Sequence, residues 1–134
     1  MKQAVSYIFG AGTAPKVTGI VRIQDTLDGF IRVDIDIKGL ENNVYGFHIH
    51  EKGACVDNVE KPFAASGEIY TSGGTMPPLV PSRGRARMTF YTRDLNIDDI
   101  IGRSLIIRKD NSDHDSRIAC GIIRKVISGK KSYS

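Results

Sequence analysis

Apolar residues recur at every second position through most of this 134-residue chain, the spacing that lines one face of a β-strand. The clearest run follows Asp28-Gly29, a hairpin turn signal. There Ile31, Val33, Ile35 and Ile37 alternate with Arg32, Asp34, Asp36 and Lys38, which predicts a strand over Phe30 to Ile37 with one face in the core and one in water. The same reading predicts strands over Ala4 to Phe9, Lys16 to Ile23, Val44 to His50, Gly67 to Ser72, Arg83 to Thr92, Ser104 to Arg108 and Ile118 to Ile127. Turn residues separate them: Gly10-Ala11-Gly12, Asn42-Asn43, and the Gly- and Pro-rich stretch Gly73 to Pro81. Glu51 to Ser66 reads as a long irregular segment, and Leu95 to Ile101 as a connection with room for one helical turn. About eight short strands with regular turns predict an all-β sandwich or barrel.

Composition adds little to that picture. Hydrophobic residues make up 40% and charged residues 25%, as in an ordinary globule, and the length suits one domain that buries its own core. We read residues 1–127 as that domain and 128–134 as a flexible basic tail. No apolar run approaches the ~20 residues of a membrane span, so no membrane partner is expected. Ala4 to Phe9 is too short and too polar for a secretory leader, which points to an intracellular chain. The net charge is +4. Arg83, Arg85 and Arg87 alternate with Gly84, Ala86 and Met88, the pattern of a solvated strand face rather than a nucleic-acid site. Cys55 and Cys120 fit either two buried thiols or one disulfide.

Candidate chemistry is concentrated in Gly46-Phe47-His48-Ile49-His50-Glu51. On a strand, residues i and i+2 share a face, so His48 and His50 are able to offer two imidazoles to one copper or zinc ion. Two histidines alone are a weak signal, and exposed or hydrogen-bonded histidines account for them more readily than a metal.

Three fragments carry a resemblance. GFHIHEKG at Gly46–Gly53, IIGRSL at Ile100–Leu105 and SRIACGI at Ser116–Ile122 resemble, in order, the GFHVHEFG, IIGRTL and SRLACGV segments of copper/zinc superoxide dismutases. The resemblance runs from Ala4 to about Ile123. It implies an eight-stranded Greek-key β-barrel with shortened loops. It further implies a disulfide between Cys55 and Cys120, a link that by chain entropy contributes roughly 4 kcal/mol. Arg117 falls where the family places the arginine that guides superoxide to copper.

The ligand set departs from the family. Four histidines hold the family's copper, and His48 and His50 match two of them. The bridging histidine should follow the first cysteine, where Lys61 stands near its place and Cys55 to Ser66 holds no histidine. Arg108 takes the place of the fourth. A guanidinium stays cationic and repels a bound cation. In the zinc loop Gly67-Glu68 replaces the family's GD pair, leaving Glu68 as a lone carboxylate where zinc wants about four ligands. Between Arg108 and Arg117, Lys109 to Ser116 is less than half the usual length, and His114 within it is expected on an exposed turn. Apolar residues of the family's dimer contact are replaced by Lys52 and by Arg124-Lys125. Charges buried in a symmetric interface are costly, so a monomer is expected, or a partner with acidic groups.

The resemblance therefore implies a catalytically inactive homologue without zinc, and with copper weak at most. It resembles the family's poxvirus dismutase-like proteins, which keep the fold and lose ligands. Those are taken to act as decoys for the host dismutase's copper chaperone, or as virion components, which places such a chain in host cytoplasm or the virion. The alternative is a weak copper protein with residual dismutase activity through His48, His50 and Arg117.

Overall fold

The computed structural model describes residues 1–109 and 116–127. Seven antiparallel strands form one sheet: β1 (Gln3–Gly10), β2 (Thr18–Asp25), β3 (Ile31–Lys38), β4 (Gly46–His50), β5 (Arg85–Thr92), β6 (Ser104–Arg108) and β7 (Arg117–Val126). Their order across the sheet is β4-β6-β7-β1-β2-β3-β5. The sheet curls around its own contents. Phe47 and Ile49 from one edge strand and Ala86 from the other share a single core with Val21, Val33, Ile37, Leu105, Ile107 and Ile123. The only α-helix among the described residues is one turn, α1 (Ile97–Ile100), with Asn96 accepting from the Asp98 amide and Ile97 and Ile100 buried beneath it.

The β3 alternation holds throughout: Ile31, Val33, Ile35 and Ile37 are buried, and their neighbours face outward. Asp36 there pairs with Arg85 at 2.7 Å across the β3–β5 ladder, and the Arg85 guanidinium holds the Asp36 carboxyl below the usual range. Arg87 is exposed. Arg83 lies outside the strand that was expected to start with it, in a turn where Arg83 and Gly84 both adopt positive φ. The strand expected over Lys16–Ile23 begins and ends two residues later.

One expected strand does not form. Gly67 to Ser72 contributes only an isolated bridge between Ile69 and His50, followed by a single 3₁₀ turn over Thr71–Gly73. Gly67 and Gly74 take φ of +77° and +72°, so the chain leaves extended geometry at both ends of the segment. Too little remains between them to build a ladder. The segment still covers part of the β4 edge, through Tyr70 N–H to Ile49 O and Glu51 N–H to Glu68 O. The expected tail, 128–134, lies outside the described residues.

Candidate functional site

β4 turns Phe47 and Ile49 into the core and His48 and His50 to the opposite face. β6 adds Ser104, Ile106 and Arg108 to that outer face, with His48 beside Ile106 and His50 beside Ser104. A register shift at Ile107/Arg108 makes Arg108 the partner of Arg117, where an unbroken ladder would have paired it with Ile118. The bulge thus re-aims one side chain. Two guanidiniums come to lie on the same face as the two imidazoles, and Ile118 packs against the core instead.

The 51–70 segment roofs this face. The Cys55–Cys120 disulfide, with Cα atoms 5.7 Å apart, fixes it to β7. Phe63 packs with Ala11, Ile106 and Cys120 in a second small cluster. The turn that inserts it has φ of 60° at Phe63. The Lys52 amide donates to Ser66 O, and Ser104 Oγ donates to Lys52 O. Gly53 sits so close to Gly102 that a Cβ there would lie 2.0 Å from its carbonyl oxygen. Arg117 is buried, and its Nη1 donates to Phe63 O at 3.0 Å and to Ser66 Oγ at 2.9 Å. In this arrangement Arg117 ties the roof to the sheet.

The histidines are placed as donors of lone pairs. His50 is fully buried, and its Nδ1 lies 2.8 Å from Gly67 O. A carbonyl only accepts, so Nδ1 carries the proton and Nε2 presents a lone pair. His50 Nε2 and His48 Nδ1 are both buried without a hydrogen-bond partner. Burial pushes the His50 imidazole down to about 4, partly offset by the Gly67 hydrogen bond and reinforced by the charges of Arg117 and Arg108. Burial, then Arg108, lowers His48 as well. Arg117 is itself lowered by burial and by Arg108, with Glu68 acting the other way.

The His50 shift predicts an acid-sensitive fold. Below its unfolded value of 6.5 the unfolded chain takes up a proton that the folded chain refuses until about pH 4. Stability should therefore fall by about 3 kcal/mol as pH drops through that window. Urea midpoints measured from pH 7 to pH 4 should show this fall, and a His50→Gln variant should show a shallower one. Parallel profiles for the two proteins would assign the acid sensitivity elsewhere.

The family's binuclear metal centre does not fit these residues. Among the described residues no group of three or more His, Cys, Asp or Glu side chains comes together. Zinc wants about four ligands, and Glu68 and Lys61, at the places of lost ligands, are both exposed. Arg108, at another such place, directs positive charge at His48 and His50. His114 lies outside the described residues.

A feature not anticipated from the sequence lies beside this site. Tyr7 and Phe9 of β1 are 57% and 45% exposed. Ile20 of β2 is opposite Tyr7, and Ile122 of β7 faces the same way, both half-buried. The signal was present: Val5-Ser6-Tyr7-Ile8-Phe9 carries apolar side chains on both strand faces, one more face than the core uses.

Known proteins agree with this architecture. Residues 17–123 match the family described as copper/zinc superoxide dismutase. The copper chaperones for superoxide dismutase of Homo sapiens and Rattus norvegicus are 29% and 26% identical over 91% of this chain. The chain spans only 53% of either chaperone's length. The Cu-Zn superoxide dismutase of Deinococcus radiodurans is 26% identical over 83% of this chain and 79% of its own. With three motifs, the sheet and the disulfide in agreement over that span, the chain belongs to the copper/zinc superoxide dismutase family.

Proposed function

We propose that this protein is a non-catalytic member of its family that acts by docking to another protein of the dismutase system, foremost the copper chaperone for superoxide dismutase of a host cell. The observation that carries the reading is the cationic replacement of the metal centre. Dismutation needs copper to cycle between two oxidation states in a geometry that suits both. Here two imidazoles face two buried guanidiniums, and positive charge opposes the more highly charged state most. Residual turnover through His48, His50 and Arg117 is disfavoured for the same reason, and because Arg117 is engaged with Phe63 and Ser66.

Tyr7, Phe9, Ile20 and Ile122 supply the docking face. Aromatic side chains of this kind make good interface anchors. Arg22, Arg124, Lys125 and Lys52 are exposed and basic, which suits an acidic partner and disfavours pairing with a second copy. In this reading the chain is a monomer in host cytoplasm or a virion.

Sedimentation of the chain with purified copper chaperone should give one complex, and the chain alone a monomer. Tyr7→Asp or Phe9→Asp should weaken the complex about tenfold or more. A stable homodimer with no affinity for the chaperone would overturn the docking reading. After treatment with copper and zinc, superoxide loss should be no faster than with the same metals in buffer, and a rate abolished by His48→Gln would overturn the non-catalytic one.

A further inference from the structure

The two edges of the sheet are finished differently. On the β4 edge, Tyr45 exchanges backbone hydrogen bonds with Leu79, the Tyr70 N–H reaches Ile49 O, and the Glu51 N–H reaches Glu68 O. β5 forms the other edge and pairs with β3 alone, over eight residue pairs without a bulge. The phase of the ladders sets which of its backbone groups are used. Asp25 N–H bonds Lys2 O and Gly10 N–H bonds Val17 O, so odd-numbered residues of β2 bond β1 and even-numbered ones bond β3. Carried on through the β3–β5 register, this turns the N–H and C=O of Ala86, Met88 and Phe90 toward β3 and those of Arg87, Thr89 and Tyr91 away from the sheet. The Arg85 N–H and C=O also face outward and bond Ser82, in agreement with that phase. Among the described residues no further backbone hydrogen bond meets the outward groups of Arg87, Thr89 and Tyr91.

We propose that β5 is a docking edge for an extended, acidic segment of a partner protein, which adds to the sheet as one more strand through the backbone groups of Arg87, Thr89 and Tyr91. An open row of donors and acceptors is a template for strand addition. Edges are commonly blunted by brevity, bulges or proline, and β5 has none of these between Arg85 and Thr92. Its one blunting device is charge, which repels a like strand and attracts an acidic one. The side chains define the occupant. On the inner face Met88 and Phe90 are only half-buried at the margin of the core, and apolar residues at alternate positions of an added strand would finish covering them. On the outer face Arg85 takes both carboxylate oxygens of Asp36, and Thr89 Oγ1 donates to Asp34. Arg87, directly across from Asp36, stays exposed, as does Arg83. A carboxylate opposite Arg87 gains a cross-strand pair, and a lysine there is repelled. A second copy of β5 is a poor occupant, because it brings Arg83, Arg85 and Arg87 again to an edge that already carries them. This edge is separate from the face of Tyr7 and Phe9, and the inference does not depend on the docking reading.

The probe is a fluorescent synthetic peptide of about eight residues, alternating valine with glutamate and threonine, titrated by anisotropy against the intact, disulfide-bonded chain. One peptide should bind per chain, and a version with lysine for glutamate should bind about tenfold more weakly or worse. On binding, amide exchange should slow at Arg87, Thr89 and Tyr91 and stay unchanged at Glu51 and Tyr70 on the opposite edge. Methylating the peptide nitrogens that face β5 should abolish binding, and methylating the alternate ones should not. Arg87→Glu should weaken binding of the acidic peptide about tenfold or more and reverse the preference for it over the lysine version. Thr89→Pro should block the edge, because the N–H it removes is not one that bonds β3. Should Thr89→Pro fail to fold, Arg87→Glu and the exchange pattern still decide. Phe9→Asp, which tests the docking reading, should leave peptide binding unchanged. No binding, equal binding of the acidic and lysine peptides, protection confined to other strands, or self-association through β5 in place of peptide binding would each overturn the proposal.

Discussion

A Cys55→Ala, Cys120→Ala double variant is expected to lose about 4 kcal/mol of stability, read as a lower urea midpoint with a steeper slope, because the unfolded chain expands once the link is gone. The disulfide joins positions 65 residues apart, and most of the expected loss is the restored freedom of that loop in the unfolded chain. The folded state should loosen locally too. Cys120 lies centrally on β7, level with Ile106 and Phe9 on the flanking strands, and Cys55 anchors the roof that carries Phe63 and Ser66. Amide exchange at Lys52, whose N–H bonds Ser66 O, should rise more than exchange at Val33 in the sheet. A loss below about 1 kcal/mol would mean that packing and hydrogen bonds alone hold the roof and keep the unfolded chain compact.

Phe63→Ala should cost about 3–5 kcal/mol. The ring is fully buried between Ala11, Ile106 and Cys120 and meets the edge of Phe9 with centroids 5.9 Å apart. Its removal opens a cavity under the roof and weakens the Arg117 contacts at Phe63 O and Ser66 Oγ. The backbone sharpens the test. At φ of 60° alanine stays strained while glycine does not. Phe63→Gly should therefore be more stable than Phe63→Ala by roughly 1 kcal/mol, the reverse of the order expected on a strand. Thermal or urea unfolding of the two variants distinguishes these orders. The usual order would mean that packing of the ring, not the turn, sets this backbone conformation.

Strand periodicity made most of the barrel legible, because a face buried against a core demands alternation that Ile31 to Ile37 shows without interruption. Gly67 to Ser72 misled because composition does not reveal that glycines at both ends adopt positive φ. The cysteine pairing and the missing ligands were legible only through the family motifs, and the structure bears out the pairing. The placement of Arg108 opposite Arg117 was not legible. A one-residue slip in the β6–β7 ladder decides it, and the sequence around Ile107 and Ile118 is apolar whichever register is chosen. Tyr7 and Phe9 fall in a strand with apolar residues on both faces, and that pattern does not tell the face turned to the core from the face turned to water.

The strand order has a consequence for how the chain is made. β1 sits in the interior of the sheet, yet one of its two neighbours is β7, with Gln3 level with Val126. A nascent chain emerging from the ribosome can form β1–β2–β3 early, but β1 keeps an open edge until β7 has been made. That edge carries Tyr7, Ile8 and Phe9, an apolar template for pairing with another chain. Closure is a long-range event and slow by its topology. Cys120, on the strand that completes the sheet, arrives with it. Oxidation to Cys55 thus locks the molecule only after the sheet is whole, and synthesis stalled before β7 would yield a species prone to aggregate rather than a smaller working domain.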